Sequence, residues 1–151
     1  ALYGAILAEK VTVDELLGAV EESAKKRDDR RVFTLIAGFR IRPNVDSTFL
    51  RLLLFSALEG HELSEMFFGK HHRVLYDHLA AYIETRIGEG AFREVDPLLA
   101  ARAFIGMVVH HRMLHEIFGV AMHRSHDETV AAYVDLFLHG LVKRPTGRRA
   151  T

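Results

Sequence analysis

Cysteine is absent from the 151 residues, which excludes disulfides, thiolate metal sites and a cysteine nucleophile. No apolar run approaches the roughly 18 residues of a membrane span, and the opening residues lack the pattern of a signal peptide. Charge of one sign is missing too: 20 Lys and Arg balance 20 Asp and Glu. A chain without net charge offers no general basic face of the kind nucleic-acid binding requires. No G-x-S-x-G elbow and no glycine-rich phosphate loop is present, so no nucleophile or phosphate cradle stands out. These absences predict a cytoplasmic, non-enzymatic protein with no cofactor and no membrane contact.

What is there reads as helix from end to end. With 49% apolar residues the chain can bury the core of one domain. Thr12-Val13-Asp14-Glu15 has capping-box spacing and predicts a helix that fades in the charged run Lys25 to Arg31. A second helix is expected over Arg31 to Ile41, ending before Arg42-Pro43. Asp46 or Ser47 caps a third that ends near Gly60. A long segment follows from about Glu62 to Ile87, closed by Gly88-Glu89-Gly90. Asp96-Pro97 places a carboxylate at N-cap and proline at the first helical position, opening a helix to Gly119. Ser125-His126-Asp127-Glu128 is a second capping box, starting a last helix to about Val142. No convincing strand pair appears, and the reading is an all-α bundle of about six helices.

The helix that carries FIGMVVHHRMLHEIFG is apolar on two faces when placed on a wheel of about 100° per residue. One face carries Ala100, Phe104, Met107, Val108, His111, Leu114, His115 and Phe118. The other carries Leu99, Ala103, Gly106, His110, Met113 and Ile117, leaving a narrow arc with Arg102, Arg112 and Glu116 for water. The last helix presents a broad stripe of Val130, Tyr133, Val134, Phe137, Leu138 and Leu141, extended by Ala132 and Leu136. Gly140, beside Tyr133, would let another backbone approach. A helix apolar nearly all round is buried on more than one side. The two helices either close a monomeric core or pair with symmetry mates into a four-helix bundle across a two-fold axis.

Ten histidines invite a metal reading. His111 and His115 are four apart and can reach one ion, with His71 and His78 as partners from the long middle segment. Against it, Gly119 stands where an H-E-x-x-H helix would place its second histidine. No metal ligand and no catalytic residue is assigned. A pocket reading fits the mixture better, since ligand cavities are apolar with a few orienting polar groups. Its candidates are Phe104, Met107, His111, His115 and Phe118, with Phe68, Leu75, His78 and Tyr82 from the middle segment. The competing reading is histidines satisfied within an ordinary core. His110, on the Gly106 and Ile117 face, suits a subunit seam, while His61, His72, His123 and His126 read as surface or cap residues.

LYGAIL, LFSALEGHELSEMFF, GEGAFREVDPLLAARAFIGMV and YVDLFLHGL follow one another in an order that resembles the C-terminal regulatory domain of TetR-type (AcrR-like) transcriptional regulators. The resemblance spans residues 1–142, leaving 143–151 as a basic, solvated tail. It implies a homodimer through the last two long helices, with Gly106, His110, Met113, Ile117, Val130, Tyr133, Val134, Phe137 and Leu141 at the seam. It implies an unidentified small-molecule effector bound within the bundle. Operator DNA is then contacted only through an N-terminal helix-turn-helix domain that this chain does not include. By this reading Phe137→Asp should dissociate the dimer. Two alternatives stay open: a histidine-rich helical-bundle metalloprotein, and a helical interaction module with no ligand.

Overall fold

A computed structural model of the chain describes residues 2–41, 47–60 and 73–143, with the side chains of 2–12, 47 and 49 left undescribed. Among those residues the chain is all-α. Its helices are α1 (Leu2–Lys25), α2 (Asp29–Ile41), α3 (Ser47–Leu58), α4 (Arg73–Gly88), α5 (Pro97–Glu116) and α6 (His126–Leu141). The first half of the expected Glu62–Ile87 segment lies outside the described residues.

Two start signals act as the sequence predicts. Asp96 is the N-cap of α5, its carboxylate accepting from the Leu99 N–H at 2.8 Å with Pro97 behind it. Ser125 and Glu128 form a reciprocal capping box at the start of α6. Two other boundaries differ. Thr12-Glu15 lies inside α1, because the preceding residues stay helical and a capping box starts a helix only where they leave that region. Helix α2 begins two residues early, because Asp28 in the charged run is itself the cap, accepting from the Arg31 N–H at 3.0 Å. Arg27, at φ 57, makes the reversal between α1 and α2.

Helix α2 is the centre of the packing and touches α1, α5 and α6. Its Val32, Phe33, Ile36 and Ala37 are buried, and Phe33 gathers an aromatic cluster. Phe104 meets it edge-on at 4.9 Å, and Phe137 lies 5.3 Å from it. Leu75, Leu79 and Ile83 of α4 close the core from the other side of α5. A polar clasp ties α2 to α4: Arg86 grips the Asp29 carboxylate through Nε at 2.8 Å and a terminal nitrogen at 2.9 Å, and the Tyr82 hydroxyl donates to the same group. After α4, Phe92 pairs with Val142 in a short bridge, and the Arg93 side chain donates to the Gly140 carbonyl. The end of α6 is thereby clipped to the α4–α5 turn.

Candidate functional site: the outer face of α5 and α6

The buried face of α5 consists of Ala101, Phe104, Ile105 and Val108, with Arg112 and Glu116 continuing its line. That corrects the wheel, which assigned Arg112 and Glu116 to water. Their side chains are only 17% and 13% exposed, because Arg112 Nε donates to Glu116 at 2.9 Å and each neutralises the other. Arg51 of α3 donates to the Glu116 carbonyl at 2.9 Å, which fixes the end of the helix further. One oxygen of the Glu116 carboxylate is buried with no hydrogen-bond partner among the described residues. The four-residue Arg–Glu spacing was the available sign of this pair. A wheel that reads every charge as exposed discards it.

With that face turned inward, the opposite side of α5 is left uncovered. Leu99 is 66% exposed, Ala103, Gly106 and His110 are exposed, and Met113 and Ile117 are half-buried. Helix α6 turns Val130, Val134, Leu138 and Leu141 into the core. Its other side carries Ala132, Tyr133, Leu136 and Gly140, with Leu136 68% exposed. α5 and α6 meet at few points, Phe104 with Phe137 at 5.0 Å and His111 with Tyr133 at 5.4 Å between ring centres, so a furrow runs between them. Towards the start of α5 it forms a groove of about 320 Å³ lined by Leu99, Ala103, Met107, Leu136 and Gly140.

At its other end the furrow opens into a second groove of about 370 Å³, walled by α5, α6 and the linker Val120–Arg124. Gly119, at φ 67, supplies the left-handed residue that stops the chain after α5 and turns it back. The Val120 N–H then bonds the Leu114 carbonyl at 2.9 Å, and His115 Nδ1 donates to the Val120 carbonyl at 3.3 Å. Leu114, Val120, Met122, Ala132 and Leu136 make the wall apolar. At the inner end the Tyr133 hydroxyl lies 3.1 Å from His111 Nδ1 and donates to it in the Nε2-protonated tautomer. Burial first, and then the charges of His115 and His110, hold the His111 pKa below its ordinary value.

The residues expected to share one pocket are dispersed. Leu75 and Phe104 are packed solid in the core, and the Tyr82 hydroxyl is committed to Asp29. His78 is exposed on α4, its Nδ1 donating to the Val74 carbonyl and its Nε2 3.9 Å from Glu21. It therefore points at α1 and not towards His111. Met107 lines the first groove and His111 the second, His115 braces the linker, and Phe118 is exposed. Phe68 and His71 lie outside the described residues. Of the expected seam residues, Gly106 and His110 are exposed, and Met113, Ile117, Tyr133 and Phe137 are half-buried. Val130, Val134 and Leu141 are a correction: they are core residues, since the apolar stripe of α6 is wide enough to serve the interior and a second face at once. His123, read from the sequence as a surface or cap residue, forms part of the second groove's rim together with Arg124. Nothing in the local pattern signals that, because it depends on where Gly119 turns the linker.

Among the described residues no three His, Asp or Glu side chains are grouped to hold a metal ion. No helix among them is long and apolar enough to cross a membrane. No individually curated protein sequence matches the chain. The family described as AefR-like transcriptional repressor, C-terminal domain, matches residues 36–140. The chain belongs to this family of TetR-type regulatory domains. The match begins within α2 and ends within α6, so it includes the second groove and all of the first but Leu141.

Proposed function

We propose that the chain is the effector-sensing and dimerisation part of a cytoplasmic TetR-type repressor, acting by binding and not by catalysis. Two copies pair through the outer faces of α5 and α6 into a four-helix bundle. A small-molecule effector that prefers one arrangement of the pair shifts the separation of helix-turn-helix heads joined to it, and operator DNA is released. Such a ligand moves the equilibrium only by its difference in affinity for the two arrangements.

The observation that carries the dimer is the uncovered apolar face itself. Leu99 and Leu136 stand well exposed at its two sides, with Ala103, Gly106 and Gly140 between and beside them. An added Cβ at Gly106 or Gly140 meets nothing within 4 Å inside the chain. Glycine within a helix costs about 1 kcal/mol relative to alanine, and close approach of a second backbone offers a reason for it. The seam we propose keeps Gly106, His110, Met113, Ile117, Tyr133 and Phe137 and adds Leu99 and Leu136.

The test moves accordingly. Phe137 contacts Phe33 and Phe104, so an aspartate there damages the monomer's own core. Leu136→Asp places its charge where the single chain is open to water, so the fold is retained while a buried seam would hold two unpaired carboxylates. Sedimentation should give a dimer for the parent chain and a monomer for Leu136→Asp, with equal helix content by circular dichroism. A parent chain that sediments as a monomer at every concentration sinks the seam.

A further inference from the structure

We infer that the groove between α5, the Val120–Arg124 linker and α6 is a binding site for small anionic amphiphiles, an apolar body carrying a single carboxylate. The inference rests on the sensing half of the proposed function, and the groove shares Tyr133 and Leu136 with the proposed seam. A cavity of about 370 Å³ has room for a small ligand, at the low end of the roughly 300–1,000 Å³ usual for such sites. Its walls are mainly aliphatic, which suits an alkyl or aryl body.

Charge decides the head group. Among the described residues the ionisable side chains lining the groove are His111, His123, Arg124 and Tyr133, and none of the lining residues is a carboxylate. Arg124 and His123 make no hydrogen bond or ion pair with another described residue. The carboxylate that feels Arg124's charge, Glu128, turns its own hydrogen bonds to Ser125. Unpaired among the described residues, the guanidinium can meet an incoming anion at the rim, and the His111 Nε2–H, fixed in that tautomer by the Tyr133 hydroxyl's bond to Nδ1, offers a second donor within. One fixed positive charge matches one negative charge. A dianion would leave charge uncompensated against an apolar wall.

His111 adds a pH dependence. Facing it are His110 and His115 from α5, His123 and Arg124 from the linker, and Tyr133 from α6. None of these is acidic at neutral pH, so the empty site disfavours the imidazolium. An arriving carboxylate favours it, and binding takes up protons as pH falls towards the histidine range.

The experiment is calorimetric titration of the full chain with sodium octanoate, and with octanol as the uncharged control. We expect one octanoate per chain, bound at least tenfold more tightly than octanol and more tightly at about pH 6 than at about pH 8, the window around an ordinary histidine pKa. Ala132→Trp fills the groove and should weaken octanoate at least tenfold. Arg124→Gln, on an exposed linker position where folding is not at stake, should abolish the preference for octanoate over octanol. The assignment is overturned by the absence of saturable octanoate binding, by octanol binding equally well, or by Arg124→Gln leaving the preference intact. Those results leave the dimer untouched, because sedimentation of the parent chain and of Leu136→Asp reads it separately. They leave sensing of a different ligand elsewhere in the bundle equally untouched.

Discussion

At the scale of single residues, the interior is held by polar groups that the hydrophobic pattern does not reveal. Tyr82 and Arg86 converge on one carboxylate, Asp29, across 53 and 57 residues of sequence. Burial and the neighbouring Asp29 push the Tyr82 hydroxyl's pKa well up, which keeps it a proton donor across the working range. Tyr82→Phe retains the ring and removes the donor. It should cost about 1.5–2 kcal/mol in urea unfolding with an unchanged m value, as expected for one hydrogen bond to a charged group. His111 gives a pH-dependent counterpart. Its pKa is lowered in the folded chain, so the neutral ring contributes stability that is fully present above the ordinary value of 6.5. That contribution is lost as pH falls through the folded value. His111→Gln should flatten the decline of stability below about pH 6.5, and an undiminished decline would assign it to other groups. Neither Tyr82's partner nor His111's neighbour is legible in the sequence, because both contacts depend on how whole helices dock.

At the scale of elements, legibility was high wherever start and stop are local chemistry. Asp96-Pro97 and Ser125-Glu128 hold all the information for their caps within four residues, and both form as read. Asp96→Ala and Ser125→Ala should each lower stability by about 1 kcal/mol. The two caps share no partner, so the double variant should lose close to the sum. A markedly smaller loss for Ser125→Ala would mean that the linker holds the start of α6 without its box. The failures were of another kind. The Thr12-Glu15 signal was overridden by a helix already in progress, and the true face of α5 was rotated by a charged pair that belongs inside. The wheel still found that α5 and α6 have more apolar surface than one interior needs. It could not say which apolar residues serve which side, and the seam implied by the resemblance took in Val130, Val134 and Leu141, which lie in the core.

At the scale of the whole molecule, the resemblance to TetR-type domains gave the class, and the match over residues 36–140 bears it out. The candidate site is the part that order along the chain conveys least. Its grooves exist because α5 docks on α4 and α2 while α6 docks on α2, leaving the two helices apart along most of their length. If a second copy fills that furrow, folding and association are linked, and stability depends on concentration. For a dimer that unfolds to two separate chains, a tenfold rise in concentration is worth about 1.4 kcal/mol per dimer. Shared between two chains of this size, that should raise Tm by about 2 °C. Leu136→Asp should melt at a lower temperature than the parent chain and show no concentration dependence, since its own core keeps every contact of the folded monomer. A Tm that is independent of concentration in the parent chain as well would mean that the α5–α6 face is open in solution. Leu99 and Leu136 would then face water, and the furrow between them would need a different occupant.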